Sequence, residues 1–507
     1  MSQPNILVIQ ADQLNPSFLS AYGNPVANTP HIDRVAAQGT VFESAYCNFP
    51  LCAPSRFSMM SGMLPSNVGA YDNGAEFQSS VPTIAHYMRS LGYQTCLSGK
   101  MHFVGADQLH GFERRLTGDI YPADFNWTGD WSEVRTKFGN DKITFSGSGV
   151  CTYNAQMAYD DETMHRARSE LYRIAQGKDE RPFFLFTSFT HPHDPYQCTQ
   201  AYWDRYRHED IDAPRVSRIA DSDNDPYSLR LLTQYGLKDY EPTDEETLTA
   251  RHAYYGSVSF FDDKVGALLD TLEHTNLLDN TAILITSDHG DMMGERGLWY
   301  KKSFFEDSCR IPMIVGGMKL NEQRRSQNVS LVDLLPTLIE ASGASASETL
   351  IEDSDGRSLW STVSDNATLD EVPMFGENLA EGANAPILMT KLGQWKYIKS
   401  GVDPEQLFDL GTDPDELQNL ASDPNNVNKL KAMRELSNQQ WDLESLTAKV
   451  RASQKRRLFL REVLKIGARD PWDYTPNDPV SEHGLRGDDI YNKWAYGSTV
   501  ELKKPDL

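Results

Sequence analysis

The sequence predicts an α/β fold: a large mixed, mainly parallel sheet sandwiched by helices, then a smaller C-terminal α+β subdomain and an extended C-terminal tail. Three observations carry this expectation. Short apolar runs recur without the in–out alternation of a half-solvated strand, as strands buried on both faces require. Stretches with helical spacing alternate with them. Two of the apolar runs end in acid-bearing turns, at the carboxyl ends of strands where open α/β sheets bind ligands.

Taken in order, Asn5–Ile9 opens the fold with a buried strand, and Pro82–Leu91 reads as a helix. Phe183–Phe189 is the next strand. A long helix follows over Asp244–Asn276, where Tyr254, Val258, Phe261, Val265, Leu268, Leu269 and Leu272 fall at helical spacing. Ala282–Ser287 and Pro312–Gly316 are strand-like, and Val332–Ala341 is a helix ending near Gly343. Residues 344–370 turn small and polar, as a linker or excursion does. Beyond them lie strand-like Pro373–Gly376 and Trp395–Lys399, turn signals at DPEQ and TDPDE, and a helical segment over Asn425–Leu464. Asp470–Leu507 is rich in Pro, Asp, Gly and aromatics and reads as a tail. The expected division is a main domain at 1–370, a smaller unit at 371–465, and a tail at 466–507 suited to oligomer contacts.

Composition limits the function. With 507 residues, 39% of them hydrophobic, and a net charge of −24, the chain is globular and acidic. Bulk nucleic acid would be repelled, although a local basic pocket can sit inside an acidic body. No apolar run approaches the ~20 residues of a membrane helix. The opening MSQPNILVIQADQ has neither the basic nor the long apolar region of a signal peptide. Six cysteines without a CxxC pair fit a reducing compartment, so a cytoplasmic protein is expected.

The chemistry sits at the strand ends. Asp12-Gln13 follows the first strand, and Asp288-His289-Gly290-Asp291 follows Ala282–Ser287. Carboxylates with an imidazole or amide can surround a hard divalent cation, while either turn alone is equally an ordinary loop. The segment Leu51-Cys52-Ala53-Pro54-Ser55-Arg56 places a cysteine at a probable helix start, among free N–H groups that favour anions, beside an arginine that can neutralise one. That describes a nucleophile or modified cysteine next to an oxyanion pocket; the alternative is a buried structural cysteine.

The Cys-x-Pro-Ser-Arg turn resembles the signature of the type I sulfatases of the alkaline phosphatase superfamily. Asp12, Gly99-Lys100-Met101-His102, Pro192-His193 and Asp288-His289 follow in the order that family shows. Within it the chain is most similar to the choline sulfatases, over LCAPSR, YDNGAEFQSS, LSGKMHFVGADQLHGFE, DIYPADFNWT, THPHDPY, SDHGDMMGERGLWYKKSFFE and PWDY; Ser481–Leu507 is only loosely similar. The resemblance implies hydrolysis of choline-O-sulfate to choline and sulfate. Other alkyl, aryl or carbohydrate sulfates, or phosphonate monoesters and phosphodiesters, are the alternatives.

It further implies that a maturation enzyme oxidises Cys52 to formylglycine, whose hydrate attacks sulfur. Asp12, Asp288, His289 and residue 52 are the implied metal ligands, with Gln13 a weaker one, for Ca²⁺ or alternatively Mg²⁺ or Mn²⁺. Arg56, Lys100 and Lys301 would neutralise sulfate oxygens and the oxyanion of residue 52, with Lys301 chosen over Lys302. His102 would assist release of sulfate, and His193, with His191 as its alternative, would protonate the leaving alkoxide. A quaternary ammonium needs aromatic faces and a carboxylate, and the resemblance nominates Asn73, Trp127, Glu381 (or Glu377) and Tyr496. A homotetramer built as a dimer of dimers is implied as well.

Overall fold

The computed structural model describes residues 3–132, 143–318, 320, 322–380 and 382–476. Its strands run in chain order as β1 (Asn5–Asp12), β2 (Thr40–Tyr46), β3 (Gln94–Gly99), β4 (Arg114–Arg115) and β5 (Gly149–Val150). Next come β6 (Phe183–Pro192), β7 (Gln197–Cys198), β8 (Thr281–Ser287), β9 (Arg310–Gly317), β10 (Gln323–Arg325) and β11 (Val329–Ser330). The last four are β12 (Met374–Asn378), β13 (Ile387–Leu392), β14 (Trp395–Ser400) and β15 (Gln406–Asp409).

Nine of these make one sheet in the order β10-β2-β9-β8-β1-β6-β3-β4, with β11 also on β2. Only β9 runs antiparallel to its neighbours, so the sheet is mixed and mainly parallel, as expected. β1, β6 and β8 lie side by side at its centre and are buried at every position, which is why their sequences are apolar without alternation. Helices cover both faces. The helix Asp244–His274 starts at a capping box between Thr243 and Glu246 and buries the apolar stripe from Tyr254 to Leu272. It packs on β6 and on the helix Ala155–Ala175.

Several elements depart from the sequence pattern. The helix Ala155–Ala175 was not legible, because its buried face mixes Gln156, Asp160, Thr163 and Glu170 with Met157, Met164, Ala167 and Leu171. Strands β2 and β3 are rich in Thr, Ser and Gln and lack an apolar run, yet β3 is buried throughout. Residues 344–370 hold two short helices, Ala346–Thr349 and Trp360–Asp365, and bury Leu359 and Val363, so they are packed structure and not a linker. The segment 425–464 is two helices, Val427–Gln440 and Leu443–Val463. The break falls at Trp441-Asp442, where the Asp442 carboxylate caps the N–H groups of Glu444 and Ser445.

Strands β12 to β15 form a separate antiparallel sheet. Buried Lys396 on β14 ties it to the central sheet through Glu306, just before β9, and Glu416, beyond β15, accepts from both Lys396 and the Glu306 N–H. Of the tail, Trp472 packs edge-on against Phe125 at 5.1 Å. Among the described residues no helix is long and apolar enough to cross a membrane. All six cysteines are unpaired.

Candidate active site

β1 and β8 are parallel neighbours, so their carboxyl ends deliver Asp12 and Asp288-His289 to the same edge of the sheet. Cys52 joins them from the helix Cys52–Ser61, which it opens after extended Leu51. Pro54 lies in the first turn, where a missing N–H costs nothing. Asn73 Oδ1 accepts the Ala53 N–H at 3.0 Å, so the predicted substrate residue is seated on the first turn of the Cys52 helix.

Asp12, Cys52, Asp288 and His289 form a buried cluster whose ligand atoms could hold one metal ion. His289 Nε2 is 3.3 Å from Cys52 Sγ, 3.9 Å from Asp12 Oδ1 and 3.8 Å from Asp288 Oδ1. His289 Nδ1 lies 3.0 Å from the Gly290 carbonyl. Donating its proton there leaves Nε2 with a free lone pair facing the carboxylates, the tautomer a metal ligand needs. The two oxygens, the imidazole and residue 52 therefore suit a divalent cation. Gln13, the weaker ligand candidate, is engaged elsewhere: its Nε2 donates to Asp291 Oδ2 at 2.5 Å and its Oε1 accepts from Lys301 Nζ.

Arg56 differs from its expected place. Its guanidinium is fully buried and donates through Nε to Asp288 Oδ2 (2.8 Å) and through Nη2 to Asp12 Oδ2 (2.9 Å). Nη1 takes the Lys100 carbonyl at 2.7 Å and Ser188 Oγ at 2.8 Å. It stands behind the carboxylates and clamps them, each of its three nitrogens engaged by a protein acceptor.

Lys100 Nζ pairs with Asp12 Oδ2 and lies 4.5 Å from the centre of the Tyr121 ring. Lys301 Nζ is 3.5 Å from Cys52 Sγ and 2.8 Å from His193 Nε2. Lys302 turns the other way, over the Tyr235 ring, so of the two lysines Lys301 faces Cys52. His193 Nδ1 is 2.7 Å from the Asp194 carbonyl. His191 is bound to Asp160 Oδ2 at 2.6 Å and packed on Phe260, which makes it the structural member of the pair.

Burial raises the Cys52 thiol pKa, but Lys100, Lys301 and His289 outweigh it and hold the group well below its ordinary value. Burial and the Cys52 sulfur oppose ionisation of Asp12, yet Lys100, His193 and Arg56 hold its carboxyl well below the usual range.

His102 sits in the left-handed region (φ 59°) with both ring nitrogens buried and without a hydrogen-bond partner. Its ring stands edge-on to half-buried Trp127 at 5.7 Å. Glu381 and Tyr496 lie outside the described residues. Glu377, the alternative to Glu381, is fully buried, and its carboxylate is taken up by Ser66 N–H, Ser66 Oγ and Trp441 Nε1. Three donors already engage it in the interior.

Sequence reasoning named Asp291 in its turn without giving it a role, and missed Asp194, Asp160 and Tyr121. Asp291 binds Gln13, Tyr196 OH and two backbone N–H groups, and burial lifts its pKa to about 6. The signal was present in DHGD and HPHD, where a second acid follows each histidine closely.

The sulfatase family model matches residues 4–344, and the model for the N-sulphoglucosamine sulphohydrolase C-terminal region matches residues 294–442. The chain is 42% identical over 493 residues to a choline-sulfatase of Rhizobium meliloti, covering 96% of each. It is 30% identical over 437 residues to arylsulfatase K of Gallus gallus, covering 81% of this chain and 77% of that one. In fold it resembles the phosphonate monoester hydrolase of Agrobacterium radiobacter, with a TM-score of 0.68 at 22% identity over 88% of this chain and 96% of that one. With this family match laid over the Cys52 site and its acidic cluster, the chain belongs to the sulfatase family.

Proposed function

We propose that this chain hydrolyses choline-O-sulfate to choline and sulfate, with residue 52 as the reacting centre. The observation that carries the substrate is the 42% identity to a choline-sulfatase over 96% of both chains. The convergence of Lys100, Lys301, His102 and His193 on Cys52 supports the reaction. Conversion of Cys52 to formylglycine by a maturation enzyme would supply, as the hydrate, an attacking hydroxyl and a second hydroxyl for expelling sulfate. A divalent cation held by Asp12, Asp288, His289 and residue 52, Ca²⁺ on its oxygen-rich ligands, would neutralise sulfate charge and acidify that hydroxyl.

The remaining work falls to the chain's side chains. Lys100 and Lys301 stabilise the charge on the sulfate oxygens in a site closed to water. The proton held between Lys301 Nζ and His193 Nε2, 2.8 Å apart, passes to the choline oxygen as the S–O bond breaks. His102, with no partner on either ring nitrogen, accepts the residue 52 hydroxyl proton as sulfate departs. Arg56 acts through Asp12 and Asp288 and not on the substrate. Trp127 and Asn73 receive the trimethylammonium end, completed by Glu381 and Tyr496.

The same reading gives a catalytic domain over 1–370, a smaller one over 371–465 and a tail over 466–507 that serves a dimer of dimers. Six unpaired thiols support a cytoplasmic setting. The test is kcat/KM for choline-O-sulfate beside 4-nitrophenyl sulfate and a phosphonate monoester. A clear preference for choline-O-sulfate supports the proposal. Preference for the aryl sulfate keeps a sulfatase and removes choline, and preference for the phosphonate overturns both.

A further inference from the structure

His102 is held in an unusual way. Its backbone lies at φ 59°, a region that costs a residue with a Cβ about 1–2 kcal/mol. A catalytic imidazole is commonly oriented through its second ring nitrogen, yet neither nitrogen of His102 has a hydrogen-bond partner among the described residues. Ring position therefore depends on the backbone, on the ring contacts with Trp127 and Tyr121, and on the Cys52 sulfur, whose ionised form the imidazole favours.

The backbone in turn depends on one carboxylate. Asp119 Oδ2 accepts the N–H of His102 at 2.6 Å and that of Met101 at 3.0 Å. The same oxygen takes Arg115 Nη2 at 3.1 Å, and Oδ1 accepts the Tyr121 N–H at 3.1 Å. The Asp119 side chain is only 5% exposed. Two adjacent N–H groups on one buried, charged oxygen fix the direction of the Met101–His102 peptides, and bonds of this kind are about twice as strong as neutral ones. The bond to Tyr121 also sets the start of the residue whose ring covers Lys100 Nζ.

We propose that Asp119 is a positioning residue for catalysis: it holds the strained His102 backbone so that the unanchored imidazole stays directed at residue 52. This inference rests on the role given to His102 above. A displacement of about 1 Å at a reacting group can cost roughly 10²-fold in rate. Removing the anchor should therefore lower kcat much more than it changes KM.

The experiment is a double-mutant cycle with Asp119→Asn and His102→Ala, measuring kcat, KM and Tm on enzyme with matched conversion of Cys52. Asparagine keeps the shape and one acceptor oxygen but loses the charge, and that single oxygen cannot serve both the Met101–His102 N–H pair and the Tyr121 N–H; Tm reports whether the fold is kept. The expected result is a fall in kcat of about tenfold or more for Asp119→Asn with KM within about threefold, because groups acting as a unit lose rate together. In the His102→Ala background, Asp119→Asn should then cost almost nothing further. Independent, multiplying losses would show a general structural role and overturn the proposal, as would an unchanged kcat for Asp119→Asn. If His102→Ala alone keeps wild-type kcat, the role of His102 itself falls, a result separable from the other two.

Discussion

Arg56→Lys isolates the part of the site that differs most from a simple sulfate-binding picture. Arg56 reaches Asp288 Oδ2 at 2.8 Å and Asp12 Oδ2 at 2.9 Å with two different nitrogens, and all three side chains are fully buried. A lysine keeps the charge, but its single nitrogen cannot span both carboxylates. One buried carboxylate then loses its partner, and breaking such a pair costs about 3–5 kcal/mol. For 507 residues, an unfolding entropy near 2.1 cal/mol/K per residue makes this a fall in Tm of about 3–5 °C. Calorimetry should be run with a chelator present, so that weakened metal binding does not add to the shift. KM should change little, because every Arg56 nitrogen is already engaged by a protein acceptor. A Tm within about 1 °C of wild type together with a KM raised more than about tenfold would refute the clamp and return Arg56 to the sulfate oxygens.

Lys301→Met should lower kcat by about 10²–10³-fold, the usual cost of losing a charge-stabilising donor, while Lys302→Met stays within a few-fold in the same steady-state assay. His193→Asn should lower kcat, most of all for alkyl esters with poor leaving groups; His191→Asn, which breaks the 2.6 Å bond to Asp160, should instead show as a lower Tm. Trp127→Ala should raise KM for choline-O-sulfate about 5–30-fold, the worth of one cation–π contact, and leave KM for 4-nitrophenyl sulfate unchanged. Asp262 is buried with its carboxylate on the N–H groups of His31 and Ile32, and burial lifts its pKa from 3.8 to about 7. The folded state thus keeps a proton that the unfolded chain releases earlier, so this stabilisation is complete below about pH 4 and lost as pH rises through 7. Urea midpoints should accordingly fall for wild type relative to Asp262→Asn between those values, and a constant difference would contradict the assignment.

What could be read from the sequence follows the physics of each element. β1, β6, β8 and β9 were visible because strands buried on both faces must be apolar, and the helix Asp244–His274 because its stripe is regular and its start is capped. The helix Ala155–Ala175 hid because it buries polar groups that have partners elsewhere: Gln156 on Tyr121 OH and the Asp194 carbonyl, Asp160 on His191. Polar residues with partners on a buried face interrupt the apolar spacing by which a helix is recognised. Asp12, Asp288 and His289 were legible as local motifs at strand ends, and Cys52 as one at a helix start. Which nitrogen of Arg56 meets which carboxylate, which of Lys301 and Lys302 faces Cys52, and why Glu377 is unavailable are matters of tertiary direction that spacing does not encode.

The most direct test of the central claim, that residue 52 is the reacting centre, compares peptide mass across Cys52 with turnover in the same samples. Preparations made with and without a formylglycine-generating enzyme would span a range of conversion. Choline-O-sulfate turnover should rise in proportion to the converted fraction and extrapolate to zero when every Cys52 is an unmodified thiol. Full activity in protein whose Cys52 is unconverted would contradict the account.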